Sequence, residues 1–315
     1  MKRQVQKMSL TVREVAAMAE NQLREAGVPD YQHDARALLE FALGMSRKDI
    51  FMYWTNEIDE FHCDAYLDLA ERRGRGEPLQ YILGVQNFMG IDISVNENVL
   101  IPRQDTEVVV QNAKLIVESV LSKKKVQADS PHIYESIPGR KNWEILDLCC
   151  GSGAIGVAMA KLCTNVKKVV CTDISAQAVG VARENSRKAG VEKMMDFHVG
   201  DLFGALRKRA KFDMIISNPP YIRTDVIPGL QREVKDHEPL IALDGGADGL
   251  DFYRRIVSEA PSRLAKKGVL VMEIGYDQGD AVKSLLEESN AFPMIEIVKD
   301  FAGHDRAAIA VCGGK

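Results

Sequence analysis

From Trp143 onward the chain alternates short apolar runs with stretches of helical period. EILDLC, VKKVVCTDI, MDFHVGD, FDMIISN, GVLVMEIG, IEIVKDF and RAAIAVC read as strands, and helical stretches separate the first six. This alternation confines the fold to a sheet with helices packed on both faces. The early runs are almost wholly apolar, as parallel strands covered on both faces must be. Only AGHD separates the last two runs. That is too little chain for a crossover, so these two are expected to pair antiparallel. The fold class is therefore α/β and Rossmann-like, with a mostly parallel seven-stranded sheet and an antiparallel last strand.

A different pattern precedes this domain. TVRE, Thr11 to Glu14, is a capping box, and Val12, Val15, Ala16, Ala19, Leu23 and Ala26 follow at helical spacing. Gly27 and Pro29 stop that helix. A second helix carries Ala35, Leu38, Leu39 and Ala42 and ends at Gly44; others are expected over Arg47–Trp54 and Asp59–Arg73. Residues 1–75 thus form a small helical bundle. Residues 76–102, with the β-like runs LQYIL, IDISV and NVLI, read as a linker containing a β-hairpin, and 103–315 as the α/β domain. Within that domain, residues 122–142 are polar and without period, and read as a flexible surface insertion.

LDLCCGSGAIGVAMA, Leu146 to Ala160, runs from a buried strand through a tight turn into a helix. Gly151, Gly153 and Gly156 fit the glycine pattern that lets backbone approach a bound nucleotide. With Cys149, Cys150 and Ser152 they make the candidate cofactor loop. Asp173 ends the next strand, where an acid grips ribose hydroxyls. Asp147 lies just before the turn. A carboxylate there repels a pyrophosphate and suits an ammonium; satisfying turn amides is the other reading. Asp201, in GDLF, could accept from an adenine amino group while Leu202 packs on the ring, or both could be ordinary loop and core residues.

The run FDMIIS ends in NPPY, Asn218 to Tyr221. Prolines lack an N–H, so Pro219 and Pro220 leave a lip of carbonyls, to which Asn218 adds a side-chain carbonyl. Such a lip accepts hydrogen bonds and suits an NH2 group, which brings two donors. Tyr221 offers a flat face for a planar amide or base. A conjugated amino nitrogen is a poor nucleophile. Two acceptors can orient it so that its lone pair faces an incoming methyl, and they favour the positive charge that builds on it. A Pro-Pro turn capped by Asn218 is the alternative.

Composition narrows the partners. The 41 Lys and Arg against 45 Asp and Glu give a net charge of -4, so there is no chain-wide basic footprint, and nucleic acid is not expected as the direct substrate. The six cysteines form no CxxC pair and have no histidine at ligand spacing, so free thiols in a reducing compartment are expected, with no metal. The opening MKRQVQK is basic without an apolar core after it, and no apolar run is long enough for a membrane span. A cytoplasmic location is expected.

LDLCCGSGAIG, TDIS and SNPPY together resemble a class I S-adenosylmethionine-dependent amino-methyltransferase. GEPLQYILG, VLIPRQDTE, EPLIALDGGADGLDFYRRI, EIGYDQG and GHDRAAIAV, in this order, resemble the release factor glutamine methyltransferases (the HemK/PrmC family) along nearly the whole chain. The resemblance implies methylation of the glutamine amide in a Gly-Gly-Gln loop of peptide chain release factors, with S-adenosylmethionine converted to S-adenosylhomocysteine. It implies that Asn218, Pro219, Pro220 and Tyr221 hold the amide, and that Gly151, Ser152, Gly153, Asp173 and Asn218 contact the cofactor. Cys149 departs from the pattern, standing where the family loop has its first glycine. Arg103, in IPRQDTE, either meets substrate or a carboxylate near the site, or is a structural arginine. The bundle is expected to read the release factor's shape, since a glutamine alone carries little specificity. The competing readings are a methyltransferase for adenine or a ribosomal-protein glutamine, a non-catalytic binding module, and a nicotinamide dehydrogenase.

Overall fold

The computed structural model describes residues 10–122 and 131–313. They divide into two units, one running up to Gly84 and including Gln231–His237, the other holding Val85–Leu230 and the chain from Glu238.

In the first unit, Thr11 caps helix α1 (Val12–Glu25). Its hydroxyl accepts from the Glu14 N–H at 3.3 Å, and Glu14 Oε2 accepts from the Thr11 N–H at 2.8 Å. Helices α2 (Tyr31–Leu43), α3 (Arg47–Met52) and α4 (Glu60–Gly74) follow. Val15, Ala19, Leu23, Leu38 and Tyr66 are fully buried between them, and the Tyr66 hydroxyl is satisfied by the Ala35 carbonyl at 2.9 Å. LQYIL, expected as β-like, is instead helix α5 (Leu79–Leu83). Pro78 stands at its entry and Gly84, at φ 71, ends it, while Leu79 and Ile82 are one turn apart on the buried face. NVLI joins no strand either.

A buried guanidinium ties this unit together. Arg73 donates to Asp34 Oδ2 at 2.6 Å, to the Glu77 carbonyl at 3.1 Å and to Glu233 Oε1 at 2.6 Å. A charge taken out of water needs such partners. Glu233 arrives on a separate pass of the chain, within Gln231–His237, which nothing in its local sequence pattern announced.

The second unit opens with a hairpin, β1 (Val85–Phe88) and β2 (Ile91–Ser94). Helices α6 (Gln104–Ser122) and α7 (Pro131–Ser136) lead to the main sheet. Residues 123–130 lie outside the described residues. The expectation of a flexible insertion is corrected over the stretch that follows them. Ile133, Tyr134 and Ile137 are buried, and the Tyr134 hydroxyl donates to Asn112 Oδ1 at 2.7 Å. Three anchors are too few to make a period in the sequence but enough to seat a short helix.

The sheet strands are β3 (Trp143–Leu148), β4 (Val166–Asp173), β5 (Met195–Val199), β6 (Phe212–Ser217), β7 (Leu264–Glu273), β8 (Met294–Lys299) and β9 (Asp305–Val311). Their order is β5-β4-β3-β6-β7-β9-β8. The first five in that order run parallel, and β9 is antiparallel to both neighbours. Helices α8 (Ala154–Leu162) and α9 (Ala176–Lys188) join β3 to β4 and β4 to β5. The order reverses between β3 and β6, so a crevice opens at their carboxyl ends, where such sheets bind ligands. Among the described residues, all six cysteines are free thiols and no helix is long and apolar enough to cross a membrane.

Candidate active site

Strand register assembles the site. Leu148 pairs with Thr172 on one side and Ser217 on the other, and Ser217 pairs with Met272. The residues just beyond, Cys149, Asp173, Asn218 and Glu273, therefore stand side by side along one edge of the sheet.

The loop after β3 turns on three left-handed residues, Cys149 (φ 62), Gly151 (φ 50) and Gly153 (φ 76). At Gly153 a Cβ would come within 2.8 Å of Ala182 Cβ, and at Gly156 within 2.9 Å of both Asp147 Oδ2 and Cys171 Sγ. The later glycines thus serve helix-on-strand packing. Asp173 accepts from the Gly151 N–H and the Ser175 N–H, both at 2.9 Å. Burial pushes its carboxyl up, opposed by those amides.

A cavity of about 250 Å³ lies over this edge. Its wall includes Cys149, Cys150, Gly151, Ser152, Asp173, Asp201, Leu202, Asn218 and Pro220, all singled out from the sequence. Others so singled out are placed differently. Asp147 is fully buried beneath the loop, where its Oδ2 accepts from the Gly156 N–H at 2.8 Å. Its Oδ1 has no hydrogen-bond partner among the described residues, and burial pushes the carboxyl up to about 7. The contact expected between Asp147 and a cofactor ammonium is corrected accordingly: the close packing of Gly156 covers the carboxylate. Gly153 and Pro219 lie outside the cavity wall, and so does Tyr221, whose hydroxyl donates to Glu273 Oε1 at 3.2 Å. Arg103 pairs with the buried carboxylate of Glu238. Their neighbours Pro102 and Pro239 both line the cavity, so this ion pair pins two stretches of wall.

Sequence reasoning missed several participants. Phe252 and Arg255 line the cavity, and Arg255 donates to Asp201 Oδ2 at 2.5 Å. Thr106, in the first turn of α6, also reaches the wall, and the Asn218 side-chain NH2 donates to its hydroxyl at 3.1 Å. That donation uses one N–H and fixes the amide plane, with the carbonyl oxygen left as an acceptor for a ligand. Glu273 is buried, and burial pushes its carboxyl up to about 7 against the nearby hydroxyls of Thr106 and Tyr221 and the charge of Arg306. The glycines of LDGGADGL are not a cation loop. A Cβ on Gly245 would lie 2.7 Å from Tyr221 Cα, and one on Gly249 would lie 2.4 Å from the Tyr221 carbonyl oxygen. They let this turn press directly under the NPPY backbone, and Gln278 Nε2 donates to that carbonyl at 3.0 Å. No spacing rule ties these residues to NPPY in sequence.

Charge decides what the cavity suits. Its wall carries two carboxylates, Asp173 and Asp201, and one cation, Arg255, which is already paired with Asp201. A cationic nucleoside fits such a wall, and a pyrophosphate does not.

A crevice at the switch point of a mostly parallel sheet, with the glycine loop, Asn218 and Pro220 on its wall, is the architecture of a Rossmann-like methyltransferase. The methyltransferase small domain model matches residues 114–229, and the PrmC N-terminal domain model matches residues 14–84. The release factor glutamine methyltransferase of Clostridium acetobutylicum is 38% identical over 97% of this chain and 100% of its own length. That of Moorella thermoacetica is 37% identical over 96% of this chain and 98% of its own. Among solved structures, the hMettl16 catalytic domain in complex with a MAT2A 3′UTR hairpin matches with a TM-score of 0.50 at 14% identity. That match covers 78% of this chain and 82% of that one, and is a likeness of fold alone. The chain belongs to the release factor glutamine methyltransferase family.

Proposed function

We propose that the protein methylates the side-chain amide nitrogen of the glutamine in the Gly-Gly-Gln loop of peptide chain release factors, using S-adenosylmethionine. The observation that carries this reading is the hydrogen bond from Asn218 to Thr106, which leaves a carbonyl acceptor beside the glycine loop. Family membership supports the choice of glutamine over adenine, as does the net charge of -4.

Gly151, Ser152 and Asp173 would hold the cofactor, Asp173 at the ribose, with Leu202 and Phe252 against the base and Asp201, steadied by Arg255, at its amino group. When bound, S-adenosylmethionine supplies an electrophilic methyl group on a sulfonium and leaves as S-adenosylhomocysteine. Asn218 Oδ1 and the Pro219 carbonyl accept the two N–H groups of the glutamine amide. Held this way, the nitrogen cannot turn its lone pair aside, and the acceptors stabilise the positive charge that grows on it. The nitrogen becomes acidic as it is alkylated, so its surplus proton passes to water without a strong base. Tyr221, braced by Glu273 and Gln278, keeps the lip rigid and presents its ring to the amide.

The helical unit reads the release factor's shape. Phe51 and Phe61 are 77% and 76% exposed on it. Phe51→Ser and Phe61→Ser should raise KM for intact release factor and leave KM for a short Gly-Gly-Gln peptide unchanged. The function itself is tested by incubating the protein and labelled cofactor with release factor, a ribosomal protein or DNA. Label on the release factor glutamine supports the reading, and label only on DNA or only on the ribosomal protein overturns it.

A further inference from the structure

Helix α9 turns one face toward the cofactor loop. Ala178 lines the cavity, Ala182 packs where a Cβ on Gly153 would fall, and Asn185 follows one turn further on. Asn185 is 1% exposed, and every part of its amide is engaged. Its Oδ1 accepts from the Ser94 N–H at 2.8 Å, and its Nδ2 donates to the Ser94 carbonyl and to the Ser152 carbonyl, both at 2.9 Å. An N–H can only donate and a carbonyl can only accept, so these three backbone groups allow the amide a single orientation. Ser94 ends β2, and the chain runs on from it into Asn98, Val99, Leu100 and Pro102, a stretch of the cavity wall. Ser152 belongs to the wall through the loop after β3. One buried side chain thus clasps two stretches of wall that are far apart in the sequence.

We propose that Asn185 is a positioning residue for the cofactor: by holding Ser152 to Ser94, it sets the spacing between the glycine loop and the wall at residues 98–102, and so the width of the slot that S-adenosylmethionine enters. The turn itself needs no such help. The Gly153 N–H donates to the Cys150 carbonyl at 2.7 Å, and Asp173 holds the Gly151 N–H. What the turn cannot supply is its distance from a segment that arrives from the hairpin. Without the Asn185 amide, the Ser152 carbonyl loses that donor in a residue only 3% exposed, and a buried carbonyl without a donor is costly. The loop then gains by shifting toward water. The turn of the hairpin is anchored separately, by the Met89 N–H on Glu107 Oε1 at 2.7 Å, so what is released is the chain after Ser94. This inference rests on the reading of the glycine loop as the S-adenosylmethionine site.

The test is binding of S-adenosylhomocysteine to the intact chain by calorimetry, with turnover of full-length release factor measured alongside. Asn185→Asp keeps the shape and sets an acceptor against two carbonyls. The Kd for S-adenosylhomocysteine and the KM for S-adenosylmethionine should rise about tenfold or more, while kcat at saturating cofactor stays within about threefold of wild type. A merely structural role would split the other way: it would lower the folded fraction, and kcat with it, and leave the KM of the folded molecules unchanged. Lys188→Ala removes only the exposed bond from Lys188 Nζ to Ser94 Oγ at 2.8 Å, and its cofactor Kd should stay within about twofold of wild type. If Asn185→Asp does not fold, Asn185→Ala takes its place with the same expectation. The wild-type chain gives a second readout: hydrogen exchange at the Ser94 amide, which lies off the cavity wall, should slow about threefold or more when S-adenosylhomocysteine binds. An Asn185 variant with a cofactor Kd within about twofold of wild type overturns the proposal, and so does exchange at Ser94 that the ligand leaves unchanged. Failure of the wild-type protein to bind S-adenosylhomocysteine would instead sink the cofactor reading itself, so the two failures are distinct.

Discussion

The cofactor half of the site and the lip half are built on the same sheet edge by different means. After β3 and β4, side chains are held by backbone amides close at hand: Asp173 by Gly151 and Ser175, Asp147 by Gly156. After β6, the holding groups are side chains from remote segments. Thr106 is 112 residues from Asn218, and Glu273 is 52 from Tyr221. The first half is a local structure that any chain with that loop would make. The second exists only once the whole unit has folded. The binding half should accordingly tolerate changes in the lip, and the reverse should hold.

The largest expected effect tests that separation directly. Asn218→Ala removes the acceptor and should lower kcat about a thousandfold, with cofactor Kd within a few-fold of wild type by calorimetry. A matching loss of cofactor affinity would show that the halves are one cooperative structure. Next in size is the buried acid under the loop. Asp147 has an ordinary value near 3.8 in the unfolded chain and about 7 when folded. The fold therefore favours its protonated form. The stability this gives is complete below pH 4 and is lost as pH rises through 7. Asp147→Asn should remove this loss, worth about 3 kcal/mol between pH 5 and pH 8, seen as a melting temperature that falls less steeply with pH. Glu273, also at about 7, keeps its own share of the slope in that variant.

A smaller pair of effects sharpens the contrast. Asp173→Ala should weaken cofactor binding by roughly tenfold to a hundredfold and spare peptide binding, whereas Tyr221→Ala should weaken the peptide more than the cofactor. Equal losses of both affinities in each variant would contradict the division. The smallest effect is at Cys149, which holds φ 62 where a side chain is strained. Cys149→Gly should relax the turn and raise stability in urea by about 1 kcal/mol or less.

The same contrast explains what could be read in the sequence. The seven sheet strands, the capping box and the glycine turn are local patterns, and each is where the sequence puts it. For Asp147 the sequence leaves an ammonium contact and a turn-amide role both open, because it shows Gly156 only as a loop glycine, not as the residue whose missing side chain brings a helix down over the carboxylate. LQYIL was misread because strand and helix compositions coincide over so short a run, and Pro78 and Gly84 decided it. Thr106, Glu273 and Gln278 lie within the stretches VLIPRQDTE and EIGYDQG, but nothing in either stretch says that they meet NPPY. They become visible only when strand register sets Asn218 next to Glu273.

The pass of chain at Gln231–His237 has one further consequence. It leaves the α/β unit after Leu230 and returns at Glu238, so the polypeptide crosses between the units three times, not once. A fragment ending at Gly84 would keep all five bundle helices yet lack Glu233, one of the two carboxylates on the sequestered Arg73. The bundle is thus a module by shape and not by sequence, and a single nick between Leu230 and Glu238 would loosen it without touching any of its helices α1 to α5.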